Sequence, residues 1–536
     1  MRLSKDGATT TFLGVNDTMS NEMTLGDFNI LQARAKLALS TGKQVPDPFR
    51  GATTLGVYRH TVADARQLLP SRYQTRYVDV LEEVVNQAEQ TLSSLHPRNG
   101  NGRRAVFEQL QEIFSNTAIP IVQLRSAKHQ RELKAFLAVI GNVYRRFVND
   151  SLVDKGARFN FISPDLDPLG YFGHNEAGPF TLPASQDMPV AIISKPTSEM
   201  RFLPFWAADG HEVGGHSIYG AVEEFHCELA AVLESNIRAA FRSKKIQTSA
   251  ATVRLPGRGI FRFGKTVSME EFMVLIWKAW LAEASADHAG LGNIGPMYLD
   301  SLLLLLSCLR PNSVLSSTDT FDSRLFEDSN GFEPHPIDIV RVLMCTEALK
   351  MMNFSQGAAY ADALTQRLLS NRGGNLPETV TWNDSKGAQV LAISLSDFQA
   401  VLPTVVSTIL TAKIKSLANN AFGDIVNWRN SDEATVNALA ATIATSGTPS
   451  LLHLEPRHVV AASMLAMEEA SLAPGFSSVA SSIHNNGISI LQEMYDSHCL
   501  LMSILKPSPG SNTTPTVDMF RLFKHVKARP FRHALR

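Results

Sequence analysis

The stretch FMVLIWKAWLAEASADHAGLG, residues 272–292, limits the fold more than any other part of the chain. Its first half is apolar on every side of a helix, and a helix without a polar face belongs in an interior. Yet the same stretch carries Glu283 and Asp287, four residues apart and therefore on one helical face. A buried carboxylate is costly unless it is paired, hydrogen-bonded or bound to a metal. The chain must therefore wrap other elements round this helix and supply a partner for each carboxylate. Ala284, Ser285, Ala286 and Ala289 are small, so a second helix can lie close against it.

The partner for such a face stands upstream. HEVGGH, His211 to His216, has the outline of the zinc signature H-E-x-x-H with one extra residue between the histidines. On a regular helix, residues five apart point about 140° away from each other, too far to share an ion. A local widening to i→i+5 hydrogen bonding absorbs the extra residue. Gly214 and Gly215 lie where backbone freedom would help it. Zinc needs a third protein ligand, and Glu283 supplies one. Asp287, one turn later, is placed to hold a ligand histidine by its second nitrogen.

His211, Glu212 and His216, followed by Glu283-x-x-x-Asp287, resemble the gluzincin metallopeptidases. The extra residue, with Gly215 just before the second histidine, is similar to the H-E-x-x-G-H motif of the dipeptidyl peptidase III family. The resemblance implies a zincin-like site between two central helices, with His211, His216 and Glu283 as zinc ligands. It implies Glu212 as the general base that activates a metal-bound water, Asp287 as support for the ligands, and a peptide or small amide substrate. PVAIIS, residues 189–194, stands where these enzymes place an edge strand that binds substrate backbone. The likeness is local, and the second motif, AEASAD, lacks that family's paired glutamate and arginine. Two other readings stay open. Two histidines and a carboxylate also form the facial triad of non-haem iron enzymes. A zincin-like fold can also serve as an interaction protein without catalysis. Glu212 separates them, because hydrolysis requires it and iron chemistry does not.

The rest of the chain reads as mainly α with a small β element. Apolar residues make up 44% of the 536, enough for a sizeable core. Residues 1–24 are polar and loose, and 25–155 form a helical N-terminal region. The metal-binding core spans 156–370, a helical C-terminal region 371–505, and a linker with a basic tail 506–536. Within them, 77–95 places Val78, Leu81, Val84, Val85 and Ala88 on one face. PRNGNGR (97–103) breaks that helix, and Val122–Val153 continues as helix. FTLP and PVAIIS suggest a small sheet, and 253–265 a strand, turn and strand. Ser268 and Glu271 form an S-x-x-E cap, and 371–390 is irregular. A formal net charge of −1 gives no reason to expect nucleic acid or an anionic membrane as partner. The leucine run Leu302–Leu306 is far short of the roughly 20 residues that span a bilayer. Four cysteines without a C-x-x-C pair fit reduced thiols in a cytoplasmic protein, and no secretory h-region is expected.

Other residue groups carry weaker chemical signals. GIFRFGKT (259–266) formally matches a P-loop, but its bulky alternating residues read as a β-hairpin. Arg258 and Arg262 on it read as solvated surface, with contact to a substrate carboxylate as the alternative. His335 and Arg341 read first as a helix cap and a surface ion pair, with stabilisation of an oxyanion as the alternative. Tyr171, His174 and Tyr219 are equal candidates for an electrophilic partner. Ser217 lacks the G-x-S-x-G elbow, since Tyr219 occupies the last glycine position.

Overall fold

The computed structural model describes residues 25–42, 46–96, 98–148, 152, 155–157, 159, 166–173, 179–256, 264–321, 332–504 and 518–528. These residues are mainly helical, with short strands, as the patterning predicts. His174, Arg258, Arg262 and the 506–516 linker lie outside them.

The apolar helix occupies the middle of the larger of two hydrophobic clusters. It is split at Trp280 into Met269–Ala279 and Leu281–Ile294, the second of which we call the carboxylate helix. Ser268 caps the first segment by accepting from the Glu271 amide at 3.1 Å. Beyond a left-handed Gly295 comes Pro296–Leu309, whose leucine run is also buried. Every described side chain of the carboxylate helix from Glu283 to Ile294 is buried, so the expectation of an interior helix holds.

A smaller cluster gathers Val78, at the end of the π-helical turn Gln74–Val78, and Leu81, Val84, Val85 and Ala88 of the helix Asp79–Ser94 with residues of neighbouring N-terminal helices. Met519, Leu522 and Val526 of the helix Met519–Ala528 dock on it, so this helix is anchored through its apolar face.

Between the clusters lies a three-stranded sheet, β1 (Leu169–Gly173), β2 (Phe180–Leu182) and β3 (Ile192–Pro196). Successive strand residues point to opposite faces. Tyr171 and Ile192 join the smaller cluster, while Phe172 and Ile193 join the larger. Both faces are covered, which explains why all three strands are buried throughout. The strand order is β1-β3-β2, with β1 parallel and β2 antiparallel to β3. PVAIIS therefore leads into the central strand rather than an edge, and the edge positions belong to β1 and β2.

Several boundaries differ from the pattern. Gly100, inside the expected 97–103 break, already starts a helix, because the Asn99 side chain caps it by accepting from the Gly102 amide at 2.9 Å. Val122–Val153 is interrupted before Gln130, where His129 is left-handed. The span expected to be irregular, 371–390, contains β7 (Thr379–Asn383), which runs parallel to β6 (Thr318–Thr320), and the start of β8 (Gln389–Ser394), which pairs antiparallel with β7 from Thr379↔Ser394. Strands β4 (Thr252–Arg254) and β5 (Thr266–Ser268) pair antiparallel, with the second strand just beyond the expected 253–265 span, and residues 257–263 of the P-loop-like segment lie outside the described residues.

Candidate metal centre

The motif runs as one helical segment in three parts: an α-helical turn Ala208–His211, a π-helix Glu212–Ser217 and a second α-helical turn Ile218–Ala221. The i→i+5 widening brings two histidines five apart onto the same side. Their rings meet nearly edge to face, with centroids 4.6 Å apart. The segment is tied to the sheet by Lys195 of β3, a fully buried ammonium 2.9 Å from Asp209 Oδ1. On β2, the Thr181 hydroxyl donates toward Glu212, lying 3.1 Å from Oε2 and 3.0 Å from its carbonyl oxygen.

The motif helix crosses the carboxylate helix at very close range. A Cβ on Gly215 would lie 2.4 Å from both Cα and Cβ of Ala286. Neither Gly214 nor Gly215 has positive φ, so the glycine at 215 serves close approach rather than unusual backbone. Backbone atoms of a neighbouring helix cannot swing aside. Gly215→Ala is therefore expected to cost about 1–3 kcal/mol, as overpacking does, and to weaken metal retention by parting the helices. Urea denaturation with metal analysis checks this; wild-type stability and metal content would refute the close-contact account.

This crossing brings His211, His216 and Glu283 together, all buried, with one ligand atom from each within 4.8 Å of the others. His211 Nε2 is 3.3 Å from Glu283 Oε2, and His216 Nε2 is 3.2 Å from Oε1. His335 Nε2 also approaches Oε1, at 3.2 Å. Among the described residues neither Glu283 oxygen has an aligned hydrogen-bond donor, although the residue is 1% exposed. The imidazole nitrogens crowd the carboxylate without pointing along hydrogen bonds to it, which fits donors gathered for a shared cation. Burial alone would raise Glu283, but His335 and His216 beside it hold its carboxyl well below the usual range.

Asp287 accepts from His211 Nδ1 at 2.9 Å. That bond puts the Nδ1 proton toward the carboxylate and leaves Nε2 to face Glu283. Arg341 clamps Asp287 from the other side with two bonds, Nε to Oδ2 at 2.6 Å and Nη2 to Oδ1 at 2.7 Å. The Tyr298 hydroxyl donates to the same carboxylate. Burial pushes Asp287 up, and the Arg341 guanidinium overrides it, holding Asp287 ionised. Burial lowers His211, yet the carboxylates of Asp287 and Glu283 beside it lift it to about 9. Asp287→Asn keeps the shape and weakens the acceptor. It is expected to lower metal affinity by roughly 10–100-fold, measured by competition with a chelator. Unchanged affinity would place Asp287 outside the centre.

Compared with protein-family models, characterised proteins and solved structures, the chain matches none. The centre is therefore read from its own geometry.

A cavity of about 50 Å³ opens beside it, lined by His211, Glu212, Glu283, Tyr298 and Arg341 among others. All four expected metal-site positions converge, and Glu212 stands at the same cavity. Arg341 is a correction: it is 7% exposed and pairs with Asp287 rather than making a surface ion pair. His335 is likewise drawn to Glu283. Tyr171 is instead packed edge-on against Phe180, and the Tyr219 hydroxyl pairs with His226 Nδ1. Tyr298 and Thr181 escape the sequence reading. Tyr298 left a signal, a phenol in a helix buried on all sides, which needs a partner for its hydroxyl.

Proposed function

We propose that the chain is a zinc-dependent hydrolase acting on a peptide or small amide bond. The observation that carries this reading is the buried Glu283 carboxylate, without an aligned donor among the described residues, facing the Nε2 atoms of His211 and His216. Two imidazoles and a carboxylate, with a supporting aspartate behind one imidazole, suit zinc and leave a position open. When bound, the metal would supply an acidified water and a Lewis acid for the substrate carbonyl.

The chain's own groups would do the rest. Glu212 would take the proton from the water and return it to the leaving amine. Thr181 would hold the Glu212 carboxylate in place through the contact at 3.1 Å. His335, whose Nε2 lies 3.2 Å from Glu283 Oε1, would be the donor to a developing oxyanion. Iron could use the same ligands. A buried acid aligned with the cavity beside them favours hydrolysis, because redox chemistry gives it no required part.

The test is the purified protein, assayed for metal content and for cleavage of a broad peptide library with and without a chelator. About one zinc per chain and chelator-sensitive cleavage are expected. A metal-free protein that cannot be loaded, or cleavage indifferent to chelation, would overturn the proposal. Stoichiometric iron would turn it toward oxidation.

A further inference from the structure

The lining of the cavity beside the metal centre has two unlike parts. His211, Glu212, Glu283 and Arg341 make the first, and all belong to the centre or support it. The second comes chiefly from the helix Pro296–Leu309. Near its start, Tyr298 donates to Asp287. Leu302 and Leu305 follow one and two turns later on the same helical face. At 1.5 Å per residue, Leu305 stands about 10 Å along the axis from Tyr298. Leu302, Leu305 and Leu306 all line the cavity, together with Phe205. Leu303 and Leu304, turned away from that face, have 0% of their surface exposed, whereas Leu302, Leu305 and Leu306 keep 6–7%. An apolar wall therefore begins at the metal centre and runs away from it.

Among the described residues, every charged group of the lining lies in the first part. Arg341 is already clamped on Asp287. The Tyr298 hydroxyl is engaged by Asp287, and the Ser301 hydroxyl is enclosed. A charged side chain laid against the leucines would lose its water and find no partner, which is costly. An aliphatic one would gain by leaving water. Size narrows the choice further. The cavity holds about 50 Å³. One water needs about 10–15 Å³, so there is room for three or four heavy atoms, while a cavity that takes benzene measures about 150 Å³.

We propose that this cavity receives the substrate side chain next to the bond that is cut, and that its leucine wall selects a short branched aliphatic group of valine or leucine size. The inference rests on the hydrolase reading and names the substrate class for it. Leu302, Leu305 and Leu306 are the specificity-determining residues, and Leu305, farther from Tyr298 than Leu302, sets the upper size limit.

Hydroxamates test it without a known substrate, because the hydroxamate group binds zinc through its two oxygens and delivers its tail beside the metal. Acetohydroxamate, isovalerohydroxamate and phenylacetohydroxamate carry a methyl, an isobutyl and a benzyl tail. Each is titrated calorimetrically into the full-length protein after zinc loading, with metal content measured first. Isovalerohydroxamate is expected to bind at least about tenfold more tightly than acetohydroxamate, for three further carbons taken out of water. Phenylacetohydroxamate should bind no more tightly than acetohydroxamate. Leu305→Ala enlarges the cavity and should bring phenylacetohydroxamate level with isovalerohydroxamate or above it. Zinc-replete protein that binds the three alike, or binds the benzyl tail best, would overturn the pocket and leave the hydrolase reading standing. An unchanged order of affinities in folded Leu305→Ala would overturn the role of the leucine wall. Protein that takes up no zinc would overturn both readings. The comparison of tails in the unsubstituted protein decides the matter even if Leu305→Ala fails to fold.

Discussion

Glu212→Gln is expected to keep its fold and its metal while turnover falls by about 10²–10⁴-fold, the usual worth of general acid–base catalysis. The substitution is nearly isosteric. The Thr181 hydroxyl that donates to Glu212 Oε2 can donate equally to an amide oxygen, so the local packing survives. Glu212 is 4% exposed and lines the cavity that His211 and Glu283 also line. A glutamine there cannot accept a proton from water. The expected pattern is full metal content, an unchanged unfolding midpoint and a collapse in kcat. Thr181→Val gives a graded companion, since it frees the carboxylate without removing it; a smaller loss is expected there. Full activity in Glu212→Gln on any substrate the parent cleaves would refute the general-base role.

Removing a ligand should have the second large effect. His211→Ala, His216→Ala and Glu283→Ala are each expected to lose most of the bound metal, read by elemental analysis after dialysis. Three protein ligands are the minimum that hold a catalytic zinc, and two of them hold it far more weakly. The variants should differ in stability. His211→Ala leaves Asp287 with Arg341 and Tyr298, so that carboxylate stays paired. Glu283→Ala removes a buried anion that three imidazoles surround, and it should be the best tolerated in the metal-free protein. Metal held at full occupancy by all three variants would end the metal reading.

His211, His216, Glu283 and Asp287 are legible in the sequence because their relation depends on local periodicity. Residue spacing along a helix sets direction round its axis, and a five-residue spacing predicts the π-helical widening that Glu212–Ser217 adopts. The apolar surroundings of Glu283 and Asp287 likewise announce that these carboxylates need partners.

Which partners they find was decided elsewhere. Arg341 lies on a helix 54 residues beyond Asp287, and a basic residue at a helix start looks the same whether it faces solvent or a buried acid. The order β1-β3-β2 depends on pairing between segments that local patterning does not rank, so PVAIIS could be recognised as a strand but not as the central one. The β7–β8 pair is hidden for a related reason. Its buried face rests on Val380, Trp382, Leu391 and Ile393, but polar, half-exposed neighbours and the turn between them dilute the alternation. The sequence by itself determined which helical faces had to be buried and which residues could hold a metal, since both follow from neighbours along the chain. The tertiary structure alone decided that Gly215 meets Ala286, that Arg341 and Tyr298 meet Asp287, and that His335 reaches Glu283. Those contacts join segments far apart in sequence, and only the packing of the whole chain brings them within bonding distance.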